Sequence, residues 1–221
     1  MLRRNFLFII LIVLFSVTVL PISINSQDDI DDKVQAFLYK YRWRDMNVPA
    51  SDGKALYDII VENGYTRALE IGTSTGHSGI WIAWALSKTG GKLTTIEIDE
   101  SRHNAALKNF EEAGVSAYID ARLGDAHVIT KELKGPFDFV FSDADKNWYT
   151  NYAKTLLPKL TVGGCYTTHN VSQPYTSRGF RGRRGGGGSS EYVEFLLSQP
   201  NLKTTFIMGG SGLSVSYKTA E

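Results

Sequence analysis

Residues 66–79 read TRALEIGTSTGHSG: a short apolar strand, a glycine-rich turn and the start of a helix. Gly72, Gly76 and Gly79 permit a tight turn and a close approach of the backbone to a ligand. In open parallel sheets, ligands bind beyond the carboxyl ends of the strands, where the free N–H groups of the next helix also point. The stretch therefore predicts the first strand of a sheet that carries its ligand at this end.

Strands and helices alternate after this stretch. The next predicted strands are KLTTIEI, AYIDARL, FDFVFS and GGCYTTH, with helical segments between them. Two further strands, KTTFIM and LSVSYK, are separated only by GGSG, which favours an antiparallel hairpin. We therefore predict an α/β fold with a Rossmann-like, doubly wound, mostly parallel seven-stranded sheet and a C-terminal antiparallel hairpin.

Two helices are predicted before the first strand. KVQAFLYKYRWRDM forms one, and its apolar face could also pair two copies of the chain. PASDGKALYDIIVENG forms the other, with Ser51 or Asp52 as its cap and Gly64 at its end. Residues 27–35 are acidic and polar, and we expect them to be a loose leader.

Length and charge favour one globular domain, residues 27–221, in a chain of 221 residues with a net charge of +1. This balance gives no reason to expect a nucleic-acid partner. Cys165 is the single cysteine, so no intramolecular disulfide can form, and we expect it to be a small core residue.

Residues 1–26 have a different composition: two arginines and then an apolar run that begins at Phe6. This pattern is typical of a secretory signal peptide, cleaved here between Ser26 and Gln27, or of an uncleaved membrane anchor. RRNFLF is also similar to the start of a twin-arginine export signal. The prediction is a protein that is exported (periplasmic or secreted) or anchored to the membrane.

Acidic residues lie at three strand ends. Glu70 gives the turn the pattern E-x-G-x-x-x-G, which differs from the G-x-G-x-x-G of dinucleotide enzymes and suits a ligand with an amino group or positive charge. Glu97 ends the second strand, where a carboxylate can accept from ribose hydroxyls. The GDA at 124–126 follows the third strand, where an adenine edge would lie.

The fourth strand runs into FDFVFSDADKNWYTNY, residues 137–152. Asp143, Asp145 and Lys146 follow the apolar run within four positions, and such charges are costly unless they are paired or used. We expect Asp145 to bond a backbone group of the turn. Tyr149 and Tyr152 are expected in the core, and Trp148 either lines an acceptor pocket or lies on the helix surface.

These motifs together resemble the S-adenosylmethionine-dependent O-methyltransferases of the catechol and caffeoyl-coenzyme A group, over about residues 45–218. DADKNWYTNY is similar to that family's D-A-D-K-x-x-Y-x-x-Y, ALEIGTSTGHSG to its glycine motif and TIEID to its ribose motif. The resemblance implies methyl transfer to a hydroxyl of a small acceptor, catechol-like or another vicinal diol, assisted by a divalent metal such as Mg²⁺, Mn²⁺, Ca²⁺ or Zn²⁺.

The resemblance also implies residue roles. Lys146 would be the base for the acceptor hydroxyl or its positive partner, with Asp143 beside it. The metal ligands would be Asp143 and Asn170, and His169, beside Asn170, is a third candidate ligand on its own chemistry. The S-adenosylmethionine site would be formed by Glu70, Gly72, Thr73, Gly76, Ser78, Glu97, Asp125, Ala126 and Asp143.

One position departs from the family, which has an Asp–Asn pair where this chain has His169–Asn170. A histidine there could bind a metal of the Zn²⁺, Mn²⁺ or Fe²⁺ type, act as a base without a metal, or simply hydrogen-bond a neighbour.

The segment 176–190 that follows is rich in glycine and arginine and is predicted to be a mobile loop. It could recruit an anionic acceptor, touch acidic lipids or remain solvated.

Two other functions stay open. An exported, non-catalytic binding protein with the methyltransferase fold is one alternative, because S-adenosylmethionine is made in the cytoplasm. A nicotinamide-dependent oxidoreductase has the right sheet but the wrong glycine spacing.

Overall fold

The computed structural model describes residues 26–42, 46–171 and 190–221. The strands within these residues are β1 (Arg67–Ile71), β2 (Lys92–Glu97), β3 (Ile119–Leu123), β4 (Phe137–Ser142), β5 (Leu160–His169), β6 (Leu202–Ile207) and β7 (Leu213–Lys218). The α-helices are α1 (Ser26–Lys40), α2 (Ala50–Asn63), α3 (His77–Thr89), α4 (Glu100–Glu112), α5 (Ala126–Glu132), α6 (Tyr149–Leu156) and α7 (Ser190–Ser198).

The seven strands form one sheet in the order β3-β2-β1-β4-β5-β7-β6. Neighbours from β3 to β5 are parallel, and β7 is antiparallel to both β5 and β6. The predicted fold class, including the C-terminal hairpin, is confirmed. From β1 the chain adds β2 and β3 on one side and then returns to add β4 and β5 on the other, so the strand order changes direction between β1 and β4. Parallel sheets bind ligands at such a switch point.

Helices cover both faces of the sheet, because central strands such as β4 have apolar side chains on both faces. Val140 points to one face, where it packs with Tyr149 and Leu156 of α6, whereas Phe139 and Phe141 point to the other, towards α2 and α3. Because successive strand residues alternate between faces, a continuous apolar strand needs cover on both sides. Cys165 of β5 is fully buried in the second cluster, as expected, and burial raises the pKa of its thiol.

Helix α1 corrects one expectation. Residues 27–35 belong to this helix rather than to a loose leader, and the helix ends at Lys40 instead of continuing to residue 46. Val34 and Phe37 bury their side chains against α3 and α4, and Asp31 accepts from the indole of Trp84 at 2.7 Å. Acidic residues at a helix N-terminus also favour the helix dipole.

The cap of α2 is a second correction. Pro49 is the N-cap residue and no side chain caps the helix, so Ser51 and Asp52 lie inside the first turn. Gly64 ends the helix as predicted, with φ of 67°, a left-handed conformation that glycine adopts without strain. Asp52 is instead buried and turned towards β5.

No helix of the described residues is long and apolar enough to span a membrane. The predicted signal or anchor lies outside the described residues except for Ser26, and the predicted loop at 176–190 lies outside them except for Ser190.

Candidate active site

A cavity of about 580 Å³ opens at the carboxyl ends of β1, β2, β4 and β5, within the size range of small-molecule sites. Eight of the predicted site residues line it: Gly72, Glu97, Asp125, Ala126, Asp143, Lys146, His169 and Asn170. The parallel strands bring these residues together, although 98 positions separate the first from the last.

The floor of the cavity depends on Gly72. Its φ is 94°, and a Cβ at this position would lie 2.7 Å from the backbone oxygen of Asp143. The ends of β1 and β4 can therefore approach each other only with glycine here. The Asp143 amide donates to the oxygen of Ile71 at 2.9 Å, which continues the strand pairing into the site.

Glu97 lies at the end of β2 and is 5% exposed. Its carboxylate accepts from three backbone amides: Ser74 at 2.7 Å, Asp99 at 3.0 Å and Ile98 at 3.1 Å. A carboxylate has about four acceptor positions, so it can still accept from a ligand hydroxyl. The bond from the Ser74 amide fixes the glycine turn after β1 to the end of β2.

Glu70 lies behind the cavity wall rather than on it, fully buried, and accepts from the hydroxyl of Thr95 at 2.5 Å. Burial raises its pKa to about 7, with the charges of Asp143 and Glu97 acting the same way and hydrogen bonds from Ser78 and Thr95 opposing.

Three further residues predicted to bind the cofactor also stand behind the lining. Thr73 bonds the hydroxyl of Thr95, Gly76 packs on Phe110, and Ser78 is buried in the first turn of α3.

Asp125 and His127 line the cavity just beyond the end of β3, next to the place where the sequence analysis expects an adenine edge at residues 124–126. Asp125 caps α5 by accepting from the His127 amide at 2.8 Å. The His127 ring lies 4.3 Å from that of Trp148, and its Nε2 is 3.2 Å from the Asp145 carboxylate. The Asp145 side chain therefore bonds a histidine rather than a backbone group of its turn, which corrects our expectation.

Lys146 and Asn170 meet across the cavity mouth. Lys146 Nζ donates to Asn170 Oδ1 at 2.6 Å, which joins the turn after β4 to the turn after β5. Asp145 and Asn170 both have positive φ, 27° and 55°, and such conformations in residues other than glycine are often found at functional sites. Lys146 remains exposed, so its ammonium can reach a molecule in the cavity.

His169 lies between two carboxylates. Its Nδ1 is 2.9 Å from Asp143 Oδ2, and its Nε2 is 3.0 Å from Asp52 Oδ2. Burial alone lowers the pKa of His169, but hydrogen bonds and charge from Asp143 and Asp52 outweigh it, and the net pKa is raised. We call Asp52, His169 and Asp143 the charged row.

The charged row does not fit the metal site that the resemblance implies. Both ring nitrogens of His169 face carboxylates, and Asn170 Oδ1 already accepts from Lys146. In the part of the chain that the structure describes, no group of three or more His, Cys, Asp or Glu side chains is arranged to hold a metal ion. The sequence allows three roles for His169: metal ligand, base, or hydrogen-bond partner of a neighbour. Its geometry fits the third.

Sequence reasoning missed Asp52. Its position favours a helix cap, a role that the sequence assigns to Ser51 or Asp52, whereas its contacts depend on the packing of α2 against the end of β5. Ser211 was missed too: its amide, in the turn between β6 and β7, donates to Asp52 Oδ2 at 2.8 Å. Tyr149 and Tyr152 are buried as expected, and the Tyr149 hydroxyl donates to the His169 oxygen at 3.1 Å.

The sequence profile of one protein family, described as O-methyltransferase, matches residues 22–173. The chain belongs to the O-methyltransferase family. Its relatives include a catechol O-methyltransferase of Niastella koreensis, 40% identical over 130 residues (57% of this chain and 58% of the relative). A caffeoyl-CoA O-methyltransferase of Eucalyptus globulus is 35% identical over 130 residues, 57% of this chain and 52% of the relative. The chain spans about half the length of the curated relatives it matches.

Solved structures of O-methyltransferases share the fold. TomG from Streptomyces achromogenes, solved with SAM, has a TM-score of 0.68 and 26% identity over 89% of this chain and 90% of its own. A Bacillus cereus O-methyltransferase solved with SAH has a TM-score of 0.68 and 24% identity over 90% of this chain and 93% of its own.

Proposed function

We propose that this member of the O-methyltransferase family transfers a methyl group from S-adenosylmethionine to a hydroxyl of a small acceptor. The observation that carries the proposal is one cavity with Glu97 on one side and Lys146 on the other, at the switch point of the sheet. Family membership and the names of the relatives support the same reaction.

The residues present fit the cofactor. Glu97 keeps an acceptor position for a ribose hydroxyl, and the imidazole of His127 lines the cavity beyond the end of β3, with the Trp148 ring 4.3 Å from it. The carboxylate of Asp143 faces the same cavity and favours a positive group beside it. When bound, S-adenosylmethionine supplies a methyl group on a positively charged sulfur that an oxygen can displace in line.

Lys146 acts on the acceptor side. Its ammonium is exposed to the cavity and is fixed in direction by Asn170. In this position the ammonium faces the acceptor oxygen as its charge develops, or Lys146 first gives up one of its own protons to water and then, as the neutral amine, takes the proton of the acceptor hydroxyl. Holding the oxygen in the attacking geometry can supply up to about 7–11 kcal/mol of the barrier reduction.

For the acceptor, the proposal names a chemical class and not a single compound. A catechol-like or other vicinal diol is supported by the names of the relatives, one a catechol and one a caffeoyl-CoA O-methyltransferase. The proposed mechanism routes no step through a metal, because the predicted ligands are engaged with each other and with Lys146.

Calorimetric titration of the full chain with S-adenosylmethionine tests the cofactor, and methylation of catechol with a radiolabelled methyl group tests the transfer. We expect micromolar binding and labelled product. Absence of cofactor binding would contradict the proposal and favour a non-catalytic protein with this fold. Titration with NAD is the control: binding of NAD alone would favour the oxidoreductase.

Export or membrane anchoring through residues 1–26 is proposed separately, on the sequence pattern of that segment. Fractionation of cells that express the full chain tests it, since recovery with the cytoplasmic proteins would contradict it.

A further inference from the structure

The charged row is built into the fold from distant parts of the chain. Asp52 comes from the first turn of α2, Asp143 follows β4, and His169 ends β5. The Asp52 carboxylate also accepts from the Ser211 amide at 2.8 Å, and a Cβ added at Gly210 would overlap that carboxylate. The row is therefore held by packing on several sides and is not a mobile surface contact.

The hydrogen bonds of the row leave His169 without a metal-binding atom. Each ring nitrogen lies within 3.0 Å of a carboxylate oxygen. Ionised carboxylates only accept hydrogen bonds, so both nitrogens must donate and the ring carries a positive charge. A nitrogen that donates has no lone pair to give to a metal.

The neighbouring groups are also engaged. The Lys146 ammonium bonds Asn170 Oδ1, which places a second positive charge at the mouth of the same site. Hard divalent ions prefer several oxygen ligands, but here one side chain of the implied set is a protonated ring and another is bound to an ammonium. A divalent ion would have to displace both cations.

We propose that this chain has a metal-independent centre, in which His169, hydrogen-bonded to a carboxylate through each ring nitrogen, occupies the place of a divalent ion and Asp52 positions it. The catalytic meaning of this centre rests on the proposed methyl transfer. His169 balances the charge of Asp143 and fixes its carboxylate. With His169 held by two carboxylates, Lys146 is the cation after β4 that is left to face the acceptor, whereas Arg102 lies in α4, which follows β2.

The test is a titration of the full chain with Mn²⁺ in the absence of cofactor and acceptor, in which electron paramagnetic resonance measures the bound metal. The result is therefore independent of whether methyl transfer occurs. We expect no saturable binding at millimolar Mn²⁺. Saturable binding that His169→Ala abolishes would overturn the inference.

His169→Asp is the gain-of-function variant, because it creates the Asp–Asn pair of the related family. We expect it to bind Mn²⁺ at least about tenfold more tightly than the unmodified chain. His103→Asp on α4 makes the same exchange away from the cavity and should gain nothing. If three clustered carboxylates prevent folding, Asp52→Asn/His169→Asp removes one of them, and a folded variant that fails to bind Mn²⁺ would contradict the role of His169.

The positioning role of Asp52 is tested by the ¹⁵N NMR signals of the two nitrogens of the His169 ring. Two protonated nitrogens are expected in the unmodified chain, and Asp52→Ala should change the Nε2 signal while Nδ1 keeps its bond to Asp143. An unchanged Nε2 signal in the folded variant would overturn the positioning role. Where methylation is detectable, EDTA should leave its rate unchanged, and loss of the rate that Mn²⁺ restores would overturn the proposal.

Discussion

Asp52 and His169 are 117 positions apart in the sequence, yet Asp52 Oδ2 lies 3.0 Å from His169 Nε2. The carboxylate is 1% exposed and the imidazole 5% exposed, so water screens this pair only weakly. Removal of one member would take this bond from the other, which would stay buried with only its second partner, Ser211 for Asp52 or Asp143 for His169, and the loss of a buried ion pair costs about 3–5 kcal/mol.

Stability should decrease at high pH because of His169. Its pKa is raised in the folded protein, so the folded state binds the proton more tightly than the unfolded state does. The resulting stabilisation is fully present below the unfolded value of about 6.5 and is lost as pH rises through the folded pKa. Urea unfolding as a function of pH measures this, and His169→Asn should lack the decrease above pH 7.

Glu70 should make a separate contribution at lower pH. Its folded pKa of about 7 exceeds the ordinary 4.5, so the free energy of unfolding falls as pH rises between these values. The shift corresponds to about 3 kcal/mol. Glu70→Gln, neutral at every pH, should remove this slope and be more stable than the unmodified chain at pH 8. A variant that keeps the slope would show that another group causes it.

Lys146 should affect turnover and not cofactor affinity. Lys146→Met removes the ammonium beside Asn170, and we expect kcat for methylation to fall about 10²–10⁴-fold, the range for loss of a positioned acid or base. Calorimetry should give the same Kd for S-adenosylmethionine. Lys131→Met on α5 is the matched control, and a rate equal to that control would rule out the assigned role.

Glu97 should affect cofactor affinity first. Glu97→Gln removes the charge that accepts from the amides of Ser74, Ile98 and Asp99. Hydrogen bonds to charged groups contribute about 1.5–3 kcal/mol, so we expect Kd for S-adenosylmethionine to rise about tenfold or more. Glu100→Gln, exposed at the start of α4, is the control. Unchanged affinity in a correctly folded Glu97→Gln would exclude a ribose contact.

Local pattern was sufficient to predict most of the sheet. Strand alternation and glycine stops gave the order of elements, and because parallel strands end at one edge, Glu97, Asp143 and Asn170 could be placed in one cavity. The first half of helix α1 is not predictable from local pattern, because its acidic residues show little apolar periodicity. Its stability comes from contacts that no local pattern shows, such as the bond from Trp84 to Asp31.

Asp52 could not be predicted for a related reason. An aspartate in a helix's first turn is ordinarily a cap or a favourable charge, and nothing nearby in the sequence marks it as buried. Its function appears only when α2, the end of β5 and the turn before β7 are packed together. The sequence marks His169 because it stands where the related family has the aspartate of an Asp–Asn pair, but its hydrogen-bond partners depend on tertiary structure.

The distance along the chain between Asp52 and His169 has a consequence during protein synthesis. A ribosome adds about 5–20 residues per second, so the 117 positions between them take on the order of ten seconds to emerge. Throughout that interval the first turn of α2 has an aspartate without its partner and must keep it in water. Asp52 can therefore be buried against His169 only after translation has passed residue 169.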